Sequence, residues 1–350
     1  MFFNNSHQTL IKTNMLLITF LISLLFQNIS GQLATALPYV CVPIGTCTTP
    51  TSSPNVIDPR IVTPTTSPCP AGQEACFITS PTGQCGRRYV QNVNTADGAA
   101  TLGAFPWLAY ITNQTGYTGV GVLINPQTVL TAAHKVCLNE QTPSNVRVSL
   151  GVYSPSNMAT AQNSTASSIA IHPNFNCAQP WTLINDIAVI RLSTPISIGI
   201  QTNVGTACLP PAAAPGTSPY VGRSCTVAGW GQTGFGTNDA PTNPQKQVTV
   251  PIVTYQECRA SMSRADLLGS AVDRFLDPNG EICAGGLAQR DACTQDGGAP
   301  LVCADTTTGQ FYIAGLVIWG KRCGLPGVYG VYVNVPVYRQ WIDTVIASFG

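Results

Sequence analysis

Charge is what this sequence has least of. Only 9% of its 350 residues are Asp, Glu, Lys or Arg, against about 25% in an average soluble chain. With a net charge of +1 and no run of Lys or Arg, nothing in it could neutralise a row of phosphates, which excludes a charge-built nucleic-acid surface. Charge-driven disorder is excluded too, because 44% of the chain is hydrophobic. Histidine is almost absent: beyond the first residues only His134 and His172 occur, and no Cys-x-x-Cys pair exists, so no zinc site is expected. Between Glu140 and Asp186 there is no carboxylate to hold calcium. No stretch reaches the ~18 consecutive apolar residues of a membrane span. The sequence calls for no metal and no cofactor.

What is present points to another compartment. Fourteen cysteines, an even number, are heavy use for a reducing environment and ordinary for an oxidising one. Glycine (32) and proline (27) are plentiful, as in chains of short strands joined by turns. Met15 to Phe26 (MLLITFLISLLF) is the apolar core of a signal peptide, too short to cross a bilayer; the rival, a buried helix, lacks an amphipathic face. Residues 1–31 are expected to be a signal peptide, cut between Gly31 and Ala36, and the protein to be secreted. Asn113 and Asn163 open glycosylation sequons in polar, loop-like stretches.

Four expected regions follow: the signal (1–31), a small disulfide-dependent module (37–80), a linker (81–100) and a large domain (101–350). In the module, Cys41, Cys47, Cys69 and Cys76 surround a Thr-, Ser- and Pro-rich stretch that cannot pair into a sheet. Arg60 is the only basic residue between Lys12 and Arg87, so Arg60–Ile61 is the expected site of regulatory cleavage, with Arg87 or Arg88 as rivals. In the large domain, β-branched runs at 119–124, 146–152, 187–192, 225–230, 247–253, 311–319 and 328–335 read as strands. Val337, Trp341, Val345 and Phe349 recur at helical spacing and predict a C-terminal helix.

Six motifs then occur in order: Thr131-Ala132-Ala133-His134, Asp186-Ile187-Ala188, Ala228-Gly229-Trp230-Gly231, Asp291-Ala292-Cys293 with Asp296-Gly297-Gly298-Ala299-Pro300, Ile318-Trp319-Gly320, and Gly327-Val328-Tyr329. Together they resemble the chymotrypsin-like serine proteases, over about residues 105–350. The resemblance implies an all-β fold of two antiparallel barrels with a C-terminal helix. It also puts His134 and Asp186 in the positions of a catalytic base and its orienting acid. The nucleophile position, however, is occupied by Gly297, which has no oxygen to attack a substrate; losing the nucleophile costs about 10⁶ in turnover. Gln295 stands where an oxyanion-hole glycine is usual, and Ile318 replaces a supporting serine. The activation cut would fall near residues 94–97, which offer neither a basic residue nor an apolar new terminus. Asp296 is thereby left without its usual amine partner.

The expectation is therefore a non-catalytic homologue, with His134–Asp186 retained as a packing hydrogen bond. Asp291, at the base of the specificity pocket, could still hold a basic side chain or be a leftover carboxylate. His172 matches a surface turn. By the same resemblance, bridges join Cys85–Cys208, Cys225–Cys303, Cys258–Cys283 and Cys293–Cys323. Gly119 and Lys135 stand where the family has a bridge beside the histidine, and Cys137–Cys177 is expected as an added one. The four N-terminal cysteines pair among themselves, in one of three connectivities.

The module resembles the clip domain of arthropod proteases and their inactive homologues, through Cys41-Val42-Pro43, Cys47, Ile57-Asp58, Cys69-Pro70 and Cys76. It has four cysteines where six are usual, and a disulfide-tied linker peptide is its rival. The clip resemblance implies a cofactor or scaffold in an extracellular cascade, such as prophenoloxidase activation in innate immunity. Expected partners are proteases, zymogens such as prophenoloxidase, or microbial surfaces; assembly after cleavage is compatible with the low charge. The alternative functions are microbe-binding or matrix recognition and, behind it, an active endopeptidase with a displaced nucleophile.

Overall fold

Short β-branched runs broken by Gly and Pro become short antiparallel strands in the computed structural model. It describes residues 39–43, 73–77, 85–179, 182–199, 202–232 and 242–349. The chain divides into two units, 1–80 and 81–350. In the first, β1 (Tyr39–Pro43) pairs antiparallel with β2 (Gln73–Phe77), with Cys41 opposite Ala75. The signal segment, the Arg60–Ile61 bond and the bridges among Cys41, Cys47, Cys69 and Cys76 lie outside the described residues.

In the second unit a short strand, β3 (Gly98–Ala99), precedes two barrels. The first is built from β4 (Leu108–Asn113), β5 (Gly116–Asn125), β6 (Thr128–Thr131), β7 (Arg147–Leu150), β8 (Gln162–Ile171) and β9 (Ala188–Leu192). It closes in the order β4-β5-β6-β9-β8-β7. The second uses β10 (Ser224–Gly229), β11 (Lys246–Val253), β12 (Glu281–Gly285), β13 (Pro300–Ala304), β14 (Phe311–Gly320) and β15 (Tyr329–Asn334). Its order is β10-β13-β14-β15-β12-β11, closed by pairing of β10 with β11, and β3 adds to the outside of β11.

Closure removes the strand edges that would otherwise recruit another chain. It also makes two interiors. Ile111, Leu123, Val148, Leu150 and Ile190 fill the first barrel. A second buried cluster continues from Leu301 and Val331 in the second barrel to Val120 and Leu130 in the first, so the seam between barrels is part of the core. Aromatic rings mark this seam: Tyr110 meets Trp230 edge-on at 5.3 Å, and Trp107 meets Phe311 at 5.4 Å. Each fully buried large side chain contributes roughly 1.5–3 kcal/mol.

Helices are few among the described residues. Helix α1 (Tyr255–Met262) begins with a reciprocal cap: Glu257 N–H donates to Thr254 Oγ1 at 3.2 Å and Thr254 N–H to Glu257 Oε2 at 2.9 Å. A single turn, α2 (Val272–Phe275), follows. The C-terminal α3 (Val335–Ser348) buries Tyr338 and Ile342.

Within the barrels four strands escape the sequence reading, β4, β8, β12 and β13, as do the short β1, β2 and β3 outside them. β8 explains why. Its sequence, QNSTASSIAI, is nearly all polar, yet Ser164 is buried, accepting from Thr194 N–H at 3.1 Å and lying 2.9 Å from Thr194 Oγ1. Side-chain hydrogen bonds do there what apolar contacts do elsewhere. This also corrects the placing of Asn163: it sits within β8, exposed on its surface, accepting from Ser149 Oγ at 2.6 Å, and is not in a loop. Asn113 ends β4, where its Oδ1 accepts from Thr115 in the tight turn to β5.

Residues 85–99 are fastened to the barrels. Gly86 N–H donates to Thr206 O, Phe311 N–H returns to Gly86 O, and Arg88 lies 4.1 Å over the Phe311 ring. The disulfides among the described residues are Cys85–Cys208, Cys137–Cys177, Cys225–Cys303, Cys258–Cys283 and Cys293–Cys323.

Candidate functional site

The cleft between the barrels receives one half of its groups from each. From the first barrel, β6 runs straight into a single 3₁₀ turn, Ala133–Lys135, which turns His134 toward the seam. Asp186, fully buried just before β9, holds it twice. His134 N–H donates to Oδ1 at 2.7 Å, and Nδ1 lies 2.5 Å from Oδ2. That second contact makes Nδ1 the protonated nitrogen and leaves Nε2 as the base facing the cleft. The two residues are 52 apart in sequence, and only closure of the barrel brings them together.

From the second barrel comes the loop 293–299. Its backbone is tied at Asp296 N–H to Cys293 O, Ala299 N–H to Asp296 O and Gly298 N–H to Val317 O. It is also tied to the first barrel, since Val120 N–H donates to Gly297 O at 3.0 Å. Gly297 is thereby held directly opposite His134. A Cβ at this position would stand 3.0 Å from His134 Nε2. No side chain fills that point from the glycine, and Lys135 fills it instead: the same Cβ would overlap Lys135 Cε and lie 3.0 Å from Nζ. The lysine passes here because Gly119 also lacks a side chain; a Cβ there would meet Lys135 Cδ at 3.0 Å. Burial lowers the pKa of this ammonium, while Asp186 and then Asp296 act to raise it.

The loop carries its own strain and its own buried acids. Gln295 sits in the left-handed region at φ +71°, a conformation costly for a side chain, and its buried Oε1 has no hydrogen-bond partner. Tyr117 OH donates to its carbonyl at 3.2 Å. Asp296 accepts from Gly231 N–H at 2.8 Å and from Cys293 N–H at 3.0 Å; burial still pushes its pKa up to about 6. Those two backbone donors take the place of an amine partner.

The stretch that would have supplied such an amine is continuous and pinned to β11. Gln247 Nε2 donates to Asn94 O and Ala96 O, while Asp97 accepts from Thr249 N–H and pairs with Arg290. Asp97, Asp291 and Asp296 border a cavity of about 360 Å³ beneath.

Asp291 lies deeper in the second barrel. Its Oδ2 accepts from Gly324 N–H at 3.2 Å, its buried Oδ1 has no partner, and burial raises its pKa to about 7. Gly285 and Gly330 flank it, the latter so closely that a Cβ would stand 3.1 Å from Oδ1. Gly-Val-Tyr occurs twice, and it is the second triplet, Gly330-Val331-Tyr332, whose glycine lies against the acid. Ile318 is buried in β14 and lines a cavity of about 190 Å³ shared with His134, Lys135, Gln295 and Gly297.

His172 is elsewhere. Its ring packs edge-on against Tyr338 at 5.3 Å and Trp341 at 5.0 Å, Nδ1 accepts from Asn174 N–H, and burial lowers its pKa. Among the described residues no three His, Cys, Asp or Glu side chains gather as metal ligands, and no helix is long and apolar enough to cross a membrane.

The cleft thus contains an oriented base with no hydroxyl or thiol in front of it. Lys135 is the residue sequence reasoning undervalued. Its signal was the joint loss of side chains at 119 and 297, two positions remote in sequence that open one space.

Residues 97–342 match the trypsin family. The chain is 37% identical to the inactive CLIP domain-containing serine protease A3 of Aedes aegypti over 331 residues, covering 88% of this chain and 67% of that protein. It is 34% identical to phenoloxidase-activating factor 2 of Galleria mellonella over 275 residues, 74% of this chain and 86% of that one. Identity to Protein masquerade of Drosophila melanogaster is also 34%, over 75% of this chain but only 24% of that protein.

Proposed function

This chain belongs to the trypsin family as a clip-domain serine protease homologue, and we propose that it is a secreted, non-catalytic cofactor of an extracellular proteolytic cascade. The cascade would be that of arthropod innate immunity, with prophenoloxidase activation as its end point and active proteases or their zymogens as its partners.

One observation carries this reading: the point 3.0 Å from His134 Nε2 where a nucleophile would begin belongs to Gly297 and is overlapped by the stem of Lys135. Without an oxygen there, the His134–Asp186 pair has nothing to deprotonate but water, and no acyl intermediate can form. Gln295 and the pinned stretch 94–97 support the same conclusion independently. The names of the insect relatives support the cascade: one is called inactive and another a phenoloxidase-activating factor. The intact barrels and cleft would then serve as a binding surface.

The test pairs two assays. The purified full chain should hydrolyse no Arg or Lys amide substrate and take up no serine-directed phosphonate label. Added back to arthropod extracellular fluid depleted of it, the chain should restore conversion of prophenoloxidase to its active form. Hydrolysis or labelling would overturn the non-catalytic reading, and a depletion without effect on conversion would overturn the cofactor role.

A further inference from the structure

Beyond the expected signal segment the chain has three lysines, Lys135, Lys246 and Lys321. Lys321 is exposed and Lys246 half-buried. Lys135 differs from both. Its stem runs through the space left by Gly119 and Gly297, and it borders the cavity of about 190 Å³ beside His134. Its Nζ makes no hydrogen bond and no ion pair among the described residues, since Asp186 is engaged by His134 and Asp296 by backbone N–H groups. An ammonium has three N–H donors to satisfy, and burial without acceptors favours the neutral amine. Burial accordingly lowers the pKa of Lys135, against the pull of those two carboxylates. A neutral amine carries a lone pair and is a nucleophile.

A base stands beside it. Lys135 Nζ and His134 Nε2 each lie 3.0 Å from the point where a Cβ on Gly297 would stand. The contact of Nδ1 with Asp186 leaves Nε2 as the acceptor. A hydroxyl formed on a group attached to Nζ would therefore be within reach of Nε2. Val317, Ile318 and Trp319 add apolar walls to the same cavity.

We propose that Lys135 is a covalent capture site for small uncharged aldehydes, with His134 moving the protons. The Nζ lone pair attacks the carbonyl carbon, and the carbon–oxygen π pair moves to oxygen, giving a carbinolamine. His134 Nε2 takes protons from nitrogen and hands them to that oxygen, which leaves as water. A carbon–nitrogen double bond replaces the carbon–oxygen one, and nothing is oxidised or reduced. The apolar walls favour an apolar or aromatic body on the aldehyde. An anionic one would approach Asp186 and Asp296, the two carboxylates that already act on this amine.

The site goes beyond the cofactor reading and does not depend on it, because capture is stoichiometric and turns nothing over. Lys246 and Lys321 lie outside this cavity and serve as controls within the same molecule.

The experiment treats the full chain near neutral pH with benzaldehyde and cyanoborohydride, which reduces an imine to a stable benzylamine, and locates the product by peptide mass mapping. Exposure alone would put Lys321 first. Capture puts Lys135 first, by at least about tenfold in initial rate, within what a positioned acid–base group supplies. Glyoxylate, an anionic aldehyde, should show no such preference for Lys135 over Lys321. Lys135→Arg should abolish the fast product. His134→Gln should slow labelling of Lys135 by about tenfold or more and leave that of Lys321 unchanged.

Lys321 labelled as fast as Lys135, an unlabelled Lys135, glyoxylate matching benzaldehyde, or a His134→Gln chain labelled at the parent rate would each overturn the proposal. The ranking of the lysines on the unaltered chain decides the matter even if a variant fails to fold. A serine-directed phosphonate on the same preparation keeps the two ideas apart. Its uptake would defeat the non-catalytic reading, whereas the lysine ranking alone decides capture.

Discussion

The two barrels contribute to the same cleft and have diverged differently within it. The first barrel's half keeps its paired base and acid, for β6, the 3₁₀ turn and Asp186 hold His134 with two hydrogen bonds, while Gly119 and Lys135 leave no bridge beside the histidine. In the second barrel's half the backbone of the loop 293–299 is still tied to Val317 and Val120, but the side chains on it are changed. The difference lies in side chains, while the scaffold that holds them is kept. A chain under no constraint at the cleft would not need that loop held so firmly; a chain that binds something there would.

The sharpest way to break this comparison is at two adjacent glycines. A Cβ at Gly298 would overlap Val120 O and Thr131 Oγ1, which are themselves hydrogen-bonded at 2.7 Å, and the residue has φ +83°. Gly298→Ala must push the barrels apart or distort the loop, and should cost about 3–5 kcal/mol of stability in urea unfolding. Gly297→Ser meets the flexible end of Lys135, which can swing aside, and a close but attainable contact with His134 Nε2 at 3.0 Å, and should cost no more than about 1 kcal/mol. It should also show no amidase turnover, since Gln295, Ile318 and the pinned stretch 94–97 remain. If the serine variant unfolds as readily as the alanine variant, Lys135 is not a movable occupant of the space.

Two buried acids of the second half make stability depend on pH. Burial raises the pKa of Asp291 to about 7 and that of Asp296 to about 6, both in the second half. For each, the folded state keeps a proton that the unfolded state gives up near the model-peptide value of about 3.9. The native state therefore binds more protons through this window, and stability falls as pH rises, from about 4 to 6 for Asp296 and on to about 7 for Asp291. Asp291→Asn keeps an acceptor for Gly324 N–H and removes one of the two slopes. The variant should be roughly 3 kcal/mol more stable than the parent at pH 8 and about equal to it at pH 4. Parallel stability profiles from pH 4 to 8 would mean that Asp291 is paired or hydrated in the native protein.

How much of this was legible beforehand follows the same division. Strands with β-branched residues, the helix after Asn334, and the positions of His134 and Asp186 could be read, because local pattern and motif order carry them. β8 could not, since its buried serine is stabilised by Thr194 in the bend after β9, remote in sequence. The doubled Gly-Val-Tyr could not be put in register, because either triplet continues the strand pattern and only the packing against Asp291 distinguishes them. The place of Lys135 depends on two missing side chains, at 119 and 297, that no local window contains.

Gln295 gives the smallest expected effect and the most direct view of what the second half gave up. Its backbone is left-handed at φ +71°, a conformation that costs a residue with a Cβ about 1–2 kcal/mol. Its Oε1 is buried without a partner, a further penalty that a glycine would not have. Against these stands the extra freedom a glycine has in the unfolded chain, worth about 0.5–1 kcal/mol. The hydrogen bond from Tyr117 reaches the carbonyl of residue 295 and survives the change. Gln295→Gly should therefore stabilise the chain by about 0.5–1 kcal/mol, seen as a higher urea midpoint with an unchanged slope. A lower midpoint would mean that the glutamine side chain is satisfied in solution by a partner on the cleft, and that the second half of the site was rebuilt around it rather than merely emptied.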